Sequence, residues 1–178
     1  MPNVTSFAEV AYLFEEFEHT AWRLETRRRY ASDRKSPRWQ RFIAGEDITR
    51  DLPNAWRENV AAQTGQGKRI ERVRIVDDPP TEGQRFLLLS GLGNVSSGED
   101  IRNLYRAEAE RLGLPSFDFW LFDSRLLAKF AFDDEDTTLG VQLIEDPAEV
   151  LAACQARDAA WHHAVRTEEF QQRVRSPM

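Results

Sequence analysis

The sequence predicts an α+β fold: one domain with a largely antiparallel sheet, several packing helices and a long C-terminal helix. Two observations predict it. Helix-period and strand-period segments mix without strict alternation, and the strand-like runs concentrate late in the chain as a meander. A length of 178 residues fits one domain, read here as residues 1–170 with a polar, fraying tail at 171–178. Hydrophobic residues make up 41% and charged residues 30%, which excludes a wholly disordered chain. No run approaches the ~18 apolar residues of a membrane span, and the N-terminus lacks a secretory pattern, so a cytoplasmic protein without membrane contact is expected.

The elements follow in order. Phe7, Val10, Leu13, Phe14 and Phe17 recur at helical spacing over residues 5–19. From Thr20 to Tyr30 the period becomes two. Trp22 and Leu24 alternate with Arg23, Glu25, Arg27 and Arg29, which gives a strand with one apolar and one charged face; a helix is the competing reading. Ser36-Pro37 starts a helix ending at Gly45, and Leu52 to Gln63 forms another, stopped by Gly65 and Gly67. Ile70 to Val76 is a strand closed by Asp77-Asp78-Pro79-Pro80. Thr81 and Gln84 make a capping box for a helix through Leu92, with a strand over Arg85 to Ser90 as its competitor. Ile101 to Arg106 reads as a strand, while Leu104 to Leu112 has helical composition. Phe117 to Phe122, Leu126 to Phe132 and Leu139 to Ile144 form the meander, with Asp133 to Asp136 as a solvated tip. Asp146 caps and Pro147 opens the closing helix.

Charge is segregated. The net charge is −6, yet Arg23 to Arg41 holds eight basic residues against two acids. A face carrying Arg27, Arg28 and Arg29 suits an acidic protein partner, with nucleic acid ranked below that and a solvated or internally paired face as the non-functional alternative. Arg72 and Arg74, two apart on a strand, share a face and need carboxylates if buried. Glu99, Asp100, Asp118 and Asp123 are the expected partners. The sharper reading makes Arg72, Arg74 and Arg102 an anion site, with Glu99, Asp118 and Asp123 as candidate catalytic acids. Trp56, Trp120 and Phe122 are candidates to line a small-molecule pocket. Three histidines and one cysteine at unrelated spacings give no metal pattern, and no cofactor motif is present, so neither is expected.

Four segments carry a resemblance: Trp22-Arg23-Leu24-Glu25-Thr26, Arg72-Val73-Arg74-Ile75-Val76, Gly98-Glu99-Asp100-Ile101-Arg102 and Asp118-Phe119-Trp120-Leu121-Phe122-Asp123-Ser124-Arg125. Over roughly residues 20–170 the chain resembles an actinobacterial, Streptomyces-like family known as a domain of unknown function. The resemblance implies a regulatory setting with a helix-turn-helix regulator as candidate partner, and it carries over no catalytic residues. The expected function is a cytoplasmic regulatory or protein-interaction domain whose arginine-rich face engages an acidic partner. Its alternative is a nucleic-acid- or phosphate-directed enzyme or toxin-like effector using the Glu/Asp/Arg cluster. Enzymatic activity and oligomeric state stay open at this point.

Overall fold

A computed structural model describes residues 3–49 and 54–175. Two short helices, α1 (Phe7–Val10) and α2 (Leu13–Glu16), lead into β1 (Thr20–Glu25), α3 (Ala31–Arg34), α4 (Pro37–Ile43) and α5 (Ala55–Thr64). Then come β2 (Arg69–Val76), α6 (Glu82–Ser97), β3 (Asp100–Tyr105) and α7 (Arg106–Arg111). The meander β4 (Phe119–Phe122), β5 (Leu126–Phe132) and β6 (Thr138–Ile144) precedes α8 (Pro147–His163), β7 (Val165–Arg166) and α9 (Thr167–Arg175).

The sheet runs β6-β5-β4-β1-β2-β3-β7. Its pairings are antiparallel except β1–β2 and β2–β3, which are parallel and joined through α5 and α6. The α+β class with a mostly antiparallel sheet and a late meander therefore holds, and a parallel centre is built into it. Period-two alternation sorts the side chains between two helical layers. Trp22, Leu24, Val73, Ile75, Phe119 and Leu121 pack with Val150, Ala153 and Ala160 of α8. Ala21, Ile70, Trp120 and Phe122 pack on the opposite side with Val10 and Phe14 of α1 and α2 and Val60 of α5.

Local chemistry explains the ends of the elements. Ser36 accepts from Trp39 N with Pro37 in the first turn, and the Thr81–Gln84 capping box forms, so α6 takes the segment for which a strand competed. Asp123 and Ser124 both have φ near +55°, the conformation of a tight hairpin turn between β4 and β5.

Several expectations need correction. The helix read over residues 5–19 is two four-residue helices joined by i−3 bonds at Ala11 and Tyr12. The strand read to Tyr30 ends at Glu25, and its charged face is covered by the second helical layer, leaving Arg23 and Glu25 buried. Leu52, the expected start of the next helix, lies outside the described residues, and α5 begins at Ala55 behind the Asn54 cap. Gln171 to Arg175 continues α9 rather than fraying, because Phe170 is buried against Val76 and Leu88 and Gln171 donates to Leu88 O at 2.9 Å. No helix among the described residues is long and apolar enough to cross a membrane.

The segment before α1 adds a bridge to β6: Thr5 and Val141 exchange backbone hydrogen bonds of 2.8 and 2.9 Å. Gly140 makes this approach feasible, since a Cβ there would meet Thr5 O at 2.3 Å and its φ is +147°. Gly140→Ala is expected to break the bridge and cost about 2–4 kcal/mol, read as a lower midpoint in urea denaturation. An unchanged midpoint would contradict this account of the edge.

Candidate functional site

The charged face of the central strands is a buried ion network. Glu25, at the end of β1, accepts from Arg72 Nη1 at 2.7 Å and Arg74 Nε at 2.6 Å; Arg23 Nε lies 3.5 Å away as an ion pair without a hydrogen bond. Glu99, between α6 and β3, takes Arg72 Nε at 2.7 Å and Trp56 Nε1 at 3.1 Å. Asp118, entering β4, accepts from Arg23 Nη2 at 3.1 Å, from the Tyr30 hydroxyl at 2.5 Å, and from Thr26 N and Oγ1 at 2.8 and 2.7 Å. Adjacent strands explain the convergence, because Arg23 faces Arg72 and Glu25 faces Arg74 in the β1–β2 register.

Three guanidiniums meet three carboxylates, so this set is electrically neutral as built. Burial works against the Glu25 anion, but Arg74, Arg72 and Arg23 outweigh it and hold its pKa well below the usual carboxylate range. The same balance, burial against Glu99 and Glu25, raises Arg72 above its ordinary value. Tyr30 is raised well above 10 by burial and by the charges of Glu25 and Asp118, so its hydroxyl stays protonated as a donor.

Above the network lies a cavity of about 710 Å³. Arg23, Arg72 and Arg74 form its charged floor, and Trp56, Trp120 and Phe130 supply aromatic wall. Arg23 sits 4.2 Å from the Phe130 ring centroid, and Arg72 lies 5.6 Å from that of Trp120, within cation–π range. Arg23 Nη1, Arg72 Nη2 and Arg74 Nη2 make no hydrogen bond among the described residues. Asp33 of α3 also lines the cavity; its Oδ2 is buried without a hydrogen-bond partner. Burial first, then the charge of Glu25, pushes its carboxyl up to about 6.

The sequence-predicted residues divide. Arg72, Arg74, Glu99 and Asp118 come together; Glu99 and Asp118 act as the carboxylates that hold arginines rather than as cavity-facing acids. Asp123 lies at the other end of β1, roughly 16 Å of strand from Glu25. There its carboxylate accepts the backbone N–H groups of Glu18, His19 and Thr20, which keep its pKa low against a partial burial that raises it. Arg102 turns to the α8 face, bonded to Asp100 and stacked 3.7 Å over Trp161. Arg27 and Arg29 both pair with Asp136, and Arg28 pairs with Asp77 at 3.0 Å, so Asp136 is no solvated tip residue. Trp56 and Trp120 line the cavity as expected, while Phe122 packs beneath it against Phe14 and Trp120.

Sequence reasoning missed Glu25, Tyr30 and Asp33. Glu25 carried a legible signal in the Arg23-x-Glu25 and Arg72-x-Arg74 spacing, which puts complementary charge on one face of two strands. Asp33 carried none, because its burial comes from elements distant in sequence. Among the described residues no group of three His, Cys, Asp or Glu side chains is placed to hold a metal ion.

Residues 8–172, nearly the whole chain, match the model of a family described as Domain of unknown function (DUF6879). No curated protein matches the chain.

Removing one partner of a buried ion network leaves uncompensated charge. Glu25→Gln is therefore expected to lose about 3–5 kcal/mol of stability at neutral pH in urea denaturation. Because the folded pKa of Glu25 lies below its ordinary 4.5, its contribution is present above that value and lost as pH falls towards the depressed one. The gap between parent and variant should narrow on acidification; a gap that widens would contradict the pairing.

Proposed function

We propose that this chain, which belongs to the DUF6879 family of unknown function, is a binding domain for a small anionic ligand with a planar apolar body. One observation carries this reading: buried guanidiniums already fixed by carboxylates present unused N–H groups in a cavity walled by Trp56, Trp120 and Phe130. Donors held in place before binding lose little entropy on binding, and one free charged Nη from each of three guanidiniums suits a carboxylate or phosphate. A concave, largely aromatic pocket with a few convergent polar groups is the usual form of a small-molecule site.

The enzyme alternative is less supported. Glu99 and Asp118 serve as guanidinium acceptors, so neither is placed to transfer a proton to a ligand in the cavity. An acidic protein partner on Arg27, Arg28 and Arg29 is also less supported, since these side chains line a concavity rather than a flat face. The regulatory role is retained as the output of binding. Occupancy of the cavity would alter α3 and the β5–β6 edge around it, and a helix-turn-helix regulator in an actinobacterial setting is the candidate reader of that change.

The test uses 8-anilinonaphthalene-1-sulfonate as an anionic, planar probe. Leu139 is 57% exposed at the cavity rim on β6, so its substitution changes charge without opening the core. Saturable one-to-one binding is expected, weakened about three- to tenfold by Leu139→Glu and not by Leu139→Lys. Equal affinity in all three proteins would place the probe elsewhere and overturn the reading.

Asp33 gives a pH signature. Its folded pKa, about 6, is raised above the ordinary 3.8, so its contribution to stability is complete below 3.8 and is lost as pH rises through 6. Asp33→Asn should be more stable than the parent at about pH 8, by up to roughly 2 kcal/mol, with no such gain at about pH 4. In the parent, probe affinity should fall as pH rises through about 6, where Asp33 adds negative charge to the cavity; in Asp33→Asn that step should vanish.

A further inference from the structure

The parallel strands β1, β2 and β3 end at one edge of the sheet, and the residues that follow each of them bring charge there. Arg27, Arg28 and Arg29 follow β1, Asp77 follows β2, and Arg106 follows β3. Asp136, from the β5–β6 turn, completes the group. Arg27 Nε lies 2.9 Å from Asp136 Oδ1, and Arg29 Nε bonds the other oxygen. Arg28 Nε lies 3.0 Å from Asp77 Oδ2, and Arg106 Nε lies 2.8 Å from Asp77 Oδ1. Arg106 Nη2 is also fixed on Thr26 O at 2.9 Å.

Four guanidiniums thus share two carboxylates, leaving an excess of two positive charges. A concavity of about 550 Å³ separates them, lined by all four arginines, Thr26, Ser116 and Asp136. Arg27 Nη1, Arg28 Nη1, Arg29 Nη1 and Nη2, and Arg106 Nη1 have no hydrogen-bond partner among the described residues. The loop is held rigidly at its centre: a Cβ on Gly83 of α6 would lie 2.8 Å from Arg28 O, so α6 packs directly on this backbone. Thr81 Oγ1 adds a hydrogen bond to the same oxygen at 3.0 Å.

We propose that this arginine-lined concavity at the carboxyl edge of β1–β3 binds a phosphoryl dianion carried by a small molecule. Ligands of sheets with parallel strands favour the crevice beyond the carboxyl ends of those strands. Two uncompensated charges match a dianion; Arg29 keeps a free Nη1/Nη2 edge for a bidentate contact, and Arg27, Arg28 and Arg106 each add one free Nη1 while Asp136 or Asp77 holds the rest of the guanidinium. A concave site suits a compact group better than the flat contact of an acidic protein surface. The site is separate from the aromatic cavity, so it stands or falls independently of that reading.

The experiment is calorimetric titration of the full chain with inorganic phosphate and with pyrophosphate at low salt. One-to-one binding is expected, weakened about tenfold or more by Arg28→Ala and by Arg29→Ala, whose side chains are 60% and 52% exposed. Unchanged urea midpoints would show that both variants fold. Arg173→Ala, another exposed arginine in an ion pair, should bind as the parent does, and so should Leu139→Glu. Absence of binding at about 10 mM of either probe would overturn the proposal. So would binding indifferent to Arg28 and Arg29, or tight binding of hexaglutamate that phosphate fails to displace.

Discussion

Glu25 is the group on which the rest of the structure depends. It ends the central strand β1 and receives guanidiniums from its own strand and from β2, while the same arginines extend to Glu99 and Asp118. Burying charges costs several kcal/mol each, and only full pairing with good geometry offsets that. The arrangement is therefore demanding: a slip of β2 by one residue would turn Arg72 and Arg74 to the α8 face and leave Glu25 unpaired. The network fixes the parallel register. Through Asp118 it also fixes where β4 joins, and through Glu99 and Trp56 it sets where α5 and α6 lie over the sheet.

The same demand accounts for the cavity. A face carrying Arg23, Glu25, Arg72 and Arg74 cannot be sealed by apolar helices as the α8 face is, because the N–H groups left over would be buried without partners. The helical layer stands off instead, and Trp56, Trp120 and Phe130 close the sides, where cation–π contact tolerates the charge beneath. The structural ion pairs and the preorganised donors of the proposed anion site are one set of contacts. Asp33 sits at the margin of this balance. Its carboxylate faces a neutral network rather than a free cation, which is why burial dominates its titration.

How much of this was legible follows from the range of each interaction. Ser36-Pro37, Thr81–Gln84 and Asp146-Pro147 announce their helices because capping is settled within four residues. The meander was legible because its apolar runs are divided by short turns. The parallel pairing of β1 with β2 and β3 was not, since it depends on crossovers through α5 and α6 and leaves no local mark. The Arg72/Arg74 face was correctly read as needing carboxylates, but the principal partner, Glu25, is 47 residues from Arg72 and was counted only as one acid in a basic stretch. Asp123 misled because a carboxylate beside a turn looks the same whether it faces a cleft or caps the start of a neighbouring strand.

The basic stretch shows why linear charge says little about a surface. Arg23 to Arg41 reads as one positive segment, yet the chain turns after β1 and again through α3 and α4, and these turns send its arginines to separate environments. Arg23 enters the buried network, Arg27, Arg28 and Arg29 reach the strand edge, Arg34 lies over Trp39, and Arg38 donates to Ser90. What matters at each place is the local count of guanidiniums against carboxylates. In the Glu25 network that count is three against three, so the network's own charge is neutral and its unused N–H groups, rather than a net field, would select a ligand. At the edge it is four against two, and an uncompensated field remains. The two proposed sites therefore differ in kind: attraction at the edge would be long-range and screened by salt, whereas the cavity would hold an anion by short-range, desolvated hydrogen bonds that salt affects much less.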